Sequence, residues 1–114
     1  MLGEDYMTKK YNNSLEFVLE IVGGKWKVHI LYNLADGPVR TGQLKSSING
    51  VTQKVLTNQL RELEKDGLVV RKSYNQVPPK VEYSLTDTGK TLHVVLKSLC
   101  DWGKEYTNFM TKNE

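Results

Sequence analysis

The sequence predicts a mainly α-helical fold that carries one small β-hairpin (α+β). Two switches of hydrophobic period and the overall composition predict it. Apolar side chains recur at helical spacing over residues 14–66, alternate strictly over 68–86, and return to helical spacing over 87–110. The 114 residues are 39% hydrophobic and 25% charged, the balance of a globular domain long enough to bury a core.

Residues 1–13 show no periodicity and are expected to form a flexible N-terminal arm ahead of a single domain over 14–114. Ser14 is placed to cap a first helix in which Leu15, Val18, Leu19 and Val22 share a face expected to be buried. Gly23-Gly24 breaks that helix. A second helix, about 25–35, sets Trp26, Ile30 and Leu34 on one side, with Trp26 as a core anchor, and stops at Asp36-Gly37-Pro38. Lys25 and Lys27 at its start are within reach of a polyanion's backbone, helped by the positive end of the helix. Val39-Arg40 suits a very short strand. Thr41 is placed to cap a third helix to about Ile48, with Leu44 and Ile48 inward.

The stretch from Thr52 to Gly67 reads as one helix with both ends marked. Thr52 is an N-cap, and Gly67 supplies the left-handed residue that closes a helix. Leu56, Leu60 and Leu63 form the apolar stripe. Lys54, Asn58, Arg61 and Lys65 project away from it, with Gln53 and Thr57 on its flank. Arg reads guanine edges, Asn and Gln read adenine, and Lys meets phosphates, so this face suits a major groove. A solvated helix face is the plainer reading of the same residues. Glu62 and Glu64 would repel phosphates and are expected to face away, or Glu62 to pair along the helix with Lys54 or Lys65.

The third helix, a short turn containing Gly50 and this polar-faced helix make a helix-turn-helix. A hairpin follows over 68–86. Leu68, Val70 and Lys72 point one way and Val69 and Arg71 the other, while Val81, Tyr83 and Leu85 alternate with Glu82, Ser84 and Thr86. A hairpin after a helix-turn-helix is a wing, and its cations Arg71, Lys72 and Lys80 suit phosphate or minor-groove contacts. A last helix, 87–110, is capped by Thr86. Its apolar residues Leu92, Leu96, Leu99, Trp102, Tyr106 and Phe109 recur every three or four positions, too long a stripe for a small domain to cover alone. A second copy of the chain is the simplest cover, and Gly103 would allow close approach at that seam.

Charge agrees with this layout. Net charge is +3, but residues 37–81 hold eight Lys or Arg against three acids, +5, while the flanks are each −1. A localised basic surface is the footprint of a polyanion. One cysteine excludes an intrachain disulfide, and His29 and His93 lack companions at ligand spacing, so no metal site or cofactor is expected. No nucleotide-binding glycine loop or catalytic set stands out, so no catalytic residues are assigned and an enzyme is not expected. No apolar run is long enough for a membrane and the polar N-terminus is wrong for a secretory signal, so a cytoplasmic location is expected.

Three stretches resemble the HxlR-type winged helix-turn-helix transcriptional regulators. They are Ile21-Val22-Gly23-Gly24-Lys25-Trp26-Lys27, the segment Thr52 to Leu63, and Val77-Pro78-Pro79-Lys80-Val81-Glu82-Tyr83-Ser84-Leu85-Thr86; Leu99-Cys100-Asp101-Trp102-Gly103 is similar too. The resemblance spans about residues 14–103. It implies a homodimer on a palindromic operator, the 52–66 helix in the major groove of double-stranded DNA, and a 68–86 wing. It also implies that the first and last helices dimerise, which adds Leu15 and Val18 to the interface set. Repression is the expected mode, because this fold acts by occupying operators; an unidentified small-molecule or redox effector is one alternative and constitutive action without an effector the other. The family's usual sensing cysteine before the first helix is replaced here by Asn13 and Ser14. Cys100 reads as a packed thiol, with a redox role as its alternative. The rival to the whole reading is a winged helix serving only protein–protein interaction, without operator-specific DNA binding.

Overall fold

A computed structural model describes residues 12–113. In chain order the elements are α1 (Ser14–Val22), α2 (Lys27–Asn33), β1 (Val39–Arg40), α3 (Thr41–Ser47), α4 (Gln53–Lys65), β2 (Val69–Tyr74), β3 (Lys80–Leu85) and α5 (Asp87–Lys112). The expected N-terminal arm falls almost wholly outside the described residues. The mainly helical architecture with a winged helix-turn-helix and a long last helix is as the periodicity predicted. The hairpin is extended to a three-stranded antiparallel sheet in the order β1-β3-β2, because β1 adds to β3 with Val39 opposite Tyr83 and Arg40 opposite Glu82.

Several helix ends differ from expectation by a residue or two, each for a local reason. Asn13, not Ser14, caps α1: its Oδ1 accepts from the Glu16 N–H at 2.8 Å. Helix α2 is shorter than 25–35, with Trp26 as N-cap residue and Leu34 as C-cap. Arg40 rather than Thr41 precedes α3, and the Gln43 side chain accepts from the Arg40 N–H at 3.1 Å.

The core gathers Ile30, Leu31 and Leu34 of the α2 region, Leu44 and Ile48, the α4 leucines, and Leu68, Val69, Tyr83, Leu85 and Leu96. Trp26 packs against it half-buried, as an anchor should. Burying each core leucine is worth about 1.5–3 kcal/mol, and three fully buried ones (Leu56, Leu60, Leu63) seat α4 on the rest of the domain. The seating leaves α4's opposite side open.

Two expected faces behave otherwise. Leu15, Val18 and Leu19 of α1 are exposed, while Val22, with Ile21, packs against the core, so most of the predicted buried face is uncovered within one chain. The stripe on α5 divides. Leu96 is buried in the chain's own core and Leu92 packs half-buried against it, so neither stands bare within one chain. Beyond them Leu99, Trp102, Tyr106 and Phe109 stand out from the domain. A 26-residue helix outruns a body that ends near its third turn.

Candidate nucleic-acid interface

Helix α4 is closed at both ends as its sequence requires. Thr52 Oγ1 accepts from the Val55 N–H at 3.2 Å, satisfying one of the free first-turn donors. At the other end Gly67 has φ +75°, where an L side chain is strained. The Gly67 N–H donates to Glu64 O and the Leu68 N–H to Leu63 O, each at 3.0 Å, the paired bonds of a Schellman motif. This stop turns the chain directly from α4 into the wing.

Gln53, Lys54, Asn58, Arg61 and Lys65 are exposed and Thr57 is half-buried. The Gln53 side-chain amide donates to Thr57 Oγ1 at 3.2 Å, so two of the polar groups are already oriented by one another. Beside them runs an open cleft between α4 and the sheet, lined by Gln53, Thr57, Arg61, Arg71 and Tyr83 among others. Arg61 and Arg71 thus approach one cleft from two elements. Glu64 lines it too, contrary to the expectation that it faces away.

Glu62 does leave the cleft, but not by pairing with Lys54 or Lys65. Its carboxylate accepts from Lys27 Nζ at 2.8 Å, 35 residues away. Lys27 is only 7% exposed, so it is not a backbone contact in waiting: it is a buried cation tying α2 to α4. Lys25 lies with its ammonium 4.8 Å from the Trp26 ring centroid. Glu62→Ala is expected to leave the Lys27 charge without its partner and lower stability by about 1–3 kcal/mol, less than for a fully buried pair because Glu62 is half exposed. A lower urea midpoint at unchanged slope is the readout. Adding Lys27→Met should recover most of the loss.

The wing splits its cations between two faces. Val69, Arg71, Val81 and Tyr83 belong to the face that meets the helices and the cleft, with Val69 and Tyr83 buried. Lys72, Tyr74, Lys80 and Glu82 lie on the outer face, as the register pairs Lys72 with Glu82 and Tyr74 with Lys80. The tip between them, residues 75–79, is fully solvent-facing, and the Val77-Pro78 peptide is cis. The predicted alternation is therefore right, and its buried side is that of Val69. Leu68 is buried as well, but from the turn preceding the strand.

On the outer face the Tyr74 hydroxyl donates to Glu82 Oε1 at 2.8 Å, and Lys80 Nζ stands 3.5 Å from Oε2. The Tyr74 hydrogen bond first, then Lys80 and Arg40, hold the Glu82 carboxyl below the ordinary carboxylate range. Lys80 and Lys72 sit 4.5 and 5.0 Å from the Tyr74 ring centroid. Neither expected wing cation on this face is a free side chain.

Cys100 is exposed, which corrects the packed-thiol expectation. It lies in a largely apolar groove between α2 and α5 with Val28, Tyr32, Leu96, Leu99 and Lys104. Sequence reasoning missed two positions. His93 stacks on Tyr32 with centroids 5.8 Å apart, and among the described residues its Nε2 is the one buried side-chain polar atom without a partner. Gly89 is buried at the start of α5 against the Leu68 carbonyl, where any Cβ would collide with backbone. Its signal was a glycine directly inside a capped helix, where alanine would otherwise serve better.

A solvent-facing polar helix, locked by a tight turn to a basic hairpin, defines a winged helix-turn-helix of the DNA-binding kind. Residues 21–111 match the HxlR-like helix-turn-helix family, and the chain belongs to it. It is 54% identical over 100 residues to the HTH-type transcriptional regulator YtcD of Bacillus subtilis (strain 168), covering 88% of this chain and 79% of that protein. YkvN of the same organism is also 54% identical, over 98 residues, covering 86% and 83%. Among solved structures, the redox regulator HypR in its reduced form superimposes with a TM-score of 0.82 at 43% identity, covering 88% of this chain and 99% of that one. The chain is thus an HTH-type DNA-binding transcriptional regulator, a family of regulators and not of enzymes. No helix among the described residues is long and apolar enough to cross a membrane.

Proposed function

We propose that the chain is a cytoplasmic repressor that occupies a palindromic operator as a homodimer. In this reading α4 enters the major groove and the hairpin lies along the flanking groove. The observation that carries it is the division of α4: three leucines fully buried on one side, and Gln53, Lys54, Asn58, Arg61 and Lys65 open to solvent on the other. Gln53, Asn58 and Arg61 are the base readers, with Thr57 beside them. Lys54, Lys65 and Arg71 meet phosphates, and Lys72 and Lys80 contribute from the outer face of the wing. Dimerisation uses the uncovered side chains Leu15 and Val18 of α1 with Leu99, Trp102, Tyr106 and Phe109 of α5. A ring ladder preorders this surface, since Trp102 and Tyr106 stack at 5.0 Å and Tyr106 and Phe109 at 6.2 Å. HypR is described as a redox regulator; here any such response would run through Cys100, the chain's single cysteine.

Selection of bound duplexes from a random pool tests this. An inverted repeat is expected, with half-site centres about 34–36 Å apart. On that sequence Arg61→Ala and Asn58→Ala are each expected to lose about 1–3 kcal/mol of discrimination, roughly 5- to 150-fold, with the dimer intact. Duplex binding without enrichment and indifferent to salt would instead indicate a protein–protein module.

A further inference from the structure

Four side chains on the outer face of the wing form a closed block. Lys72 and Tyr74 come from β2, and Glu82 and Lys80 stand opposite them on β3. Both carboxylate oxygens of Glu82 are engaged, Oε1 by the Tyr74 hydroxyl at 2.8 Å and Oε2 by Lys80 Nζ at 3.5 Å. Both ammonium groups lie within 5.0 Å of the Tyr74 ring centroid. On the third strand Arg40 is the register partner of Glu82, so one acid stands in a row between Lys72 and Arg40 with Lys80 beside it. The arrangement does not serve packing, because the core lies behind the other face of the sheet. A solvated lysine on a hairpin normally swings freely; these two are held down.

We propose that Glu82 is a specificity-determining residue that limits how much of the wing's positive charge reaches DNA. The inference rests on the DNA-binding reading given above. Affinity from phosphate contacts is blind to sequence, and its salt dependence counts the cations engaged, with a log–log slope of about −0.9 per phosphate. A hairpin lying along a duplex has phosphates beside both of its faces. Freed lysines on the outer face would add to binding at every sequence alike and dilute the discrimination supplied by α4. Glu82 restrains Lys80 by direct attraction, and it fixes the Tyr74 ring on which both lysines rest. It is a positioning residue and contacts no base.

Glu82→Gln separates charge from shape, since a glutamine carbonyl still accepts from Tyr74. The affinity of Glu82→Gln for an unrelated duplex is expected to rise on the order of 3- to 10-fold at low salt, with a slope steeper by about 1 or more. Operator affinity should rise less, so the ratio of specific to nonspecific binding falls. Lys72→Gln/Lys80→Gln in the same background should abolish the increase and bring the slope to the wild-type value or below it. A wild-type slope in Glu82→Gln, with only a lower thermal midpoint, would overturn the inference and leave the DNA-binding reading standing. If neither protein binds any duplex in a salt-dependent way, that reading fails and takes this inference with it.

Discussion

Gly89→Ala is expected to cost about 3 kcal/mol or more, a large part of the roughly 5–15 kcal/mol that holds a domain of this size together. The added Cβ would run into the Leu68 carbonyl oxygen and lie 3.1 Å from its carbon and 3.3 Å from Leu85 Cδ2. The leucine tip could shift, but the carbonyl could not. Leu68 O accepts from the Thr86 N–H at 3.1 Å, and the Thr86 hydroxyl donates to Gly67 O at 2.6 Å while accepting from the Gly89 N–H at 3.0 Å. These bonds fasten the end of α4, the base of the wing and the start of α5 at one corner. Relieving the clash means opening that corner, with loss of the N-cap of α5 as well. Urea unfolding would show a sharply lower midpoint at unchanged slope, and a midpoint within about 0.5 kcal/mol of wild type would refute the tight packing. The corner also sets the angle at which α4 leaves α5, so any Gly89→Ala protein that folds should bind DNA poorly.

The legible parts of the fold were those with a period and a marked end. Thr52, the three leucines and Gly67 specify α4 locally, and α4 has the bounds they imply within one residue. The wing was legible from its alternation, including that Arg71 and Lys72 fall on opposite faces, because a strand side chain can point only two ways. What escaped was tertiary pairing. Nothing near Lys27 in sequence indicates that its ammonium is buried against Glu62, since the partner lies on another helix. The Tyr74–Glu82–Lys80 block needs the hairpin register, which depends on where the turn of residues 75–79 begins and ends. The α5 stripe was read as one surface because periodicity states which residues share a face and not where the body beneath it stops. Leu96 and Leu99 are neighbours on that stripe, yet one is buried in the core and the other 61% exposed.

That exposed end of α5 carries the second large effect. Trp102→Asp is expected to convert the proposed dimer to a monomer and weaken binding to the proposed operator on the order of 10²–10⁴-fold, the gain that tethering two modules supplies. Trp102 is 62% exposed within one chain and touches little of its own core, so the protomer should fold unchanged. In a dimer the same position would bring a carboxylate into an apolar seam among Leu99, Tyr106 and Phe109 without a cation to meet it. Each recognition helix would keep its half-site contacts, but the second half-site would no longer be delivered at high effective concentration. Sedimentation should report the mass of one chain, and affinity for a duplex bearing a single half-site should match that of wild type. A Trp102→Asp protein that sediments as a dimer, or holds a full operator as tightly as wild type, would remove α5 from the interface. The long helix would then need another partner, since a stripe of exposed Leu, Trp, Tyr and Phe is not left bare in water without one.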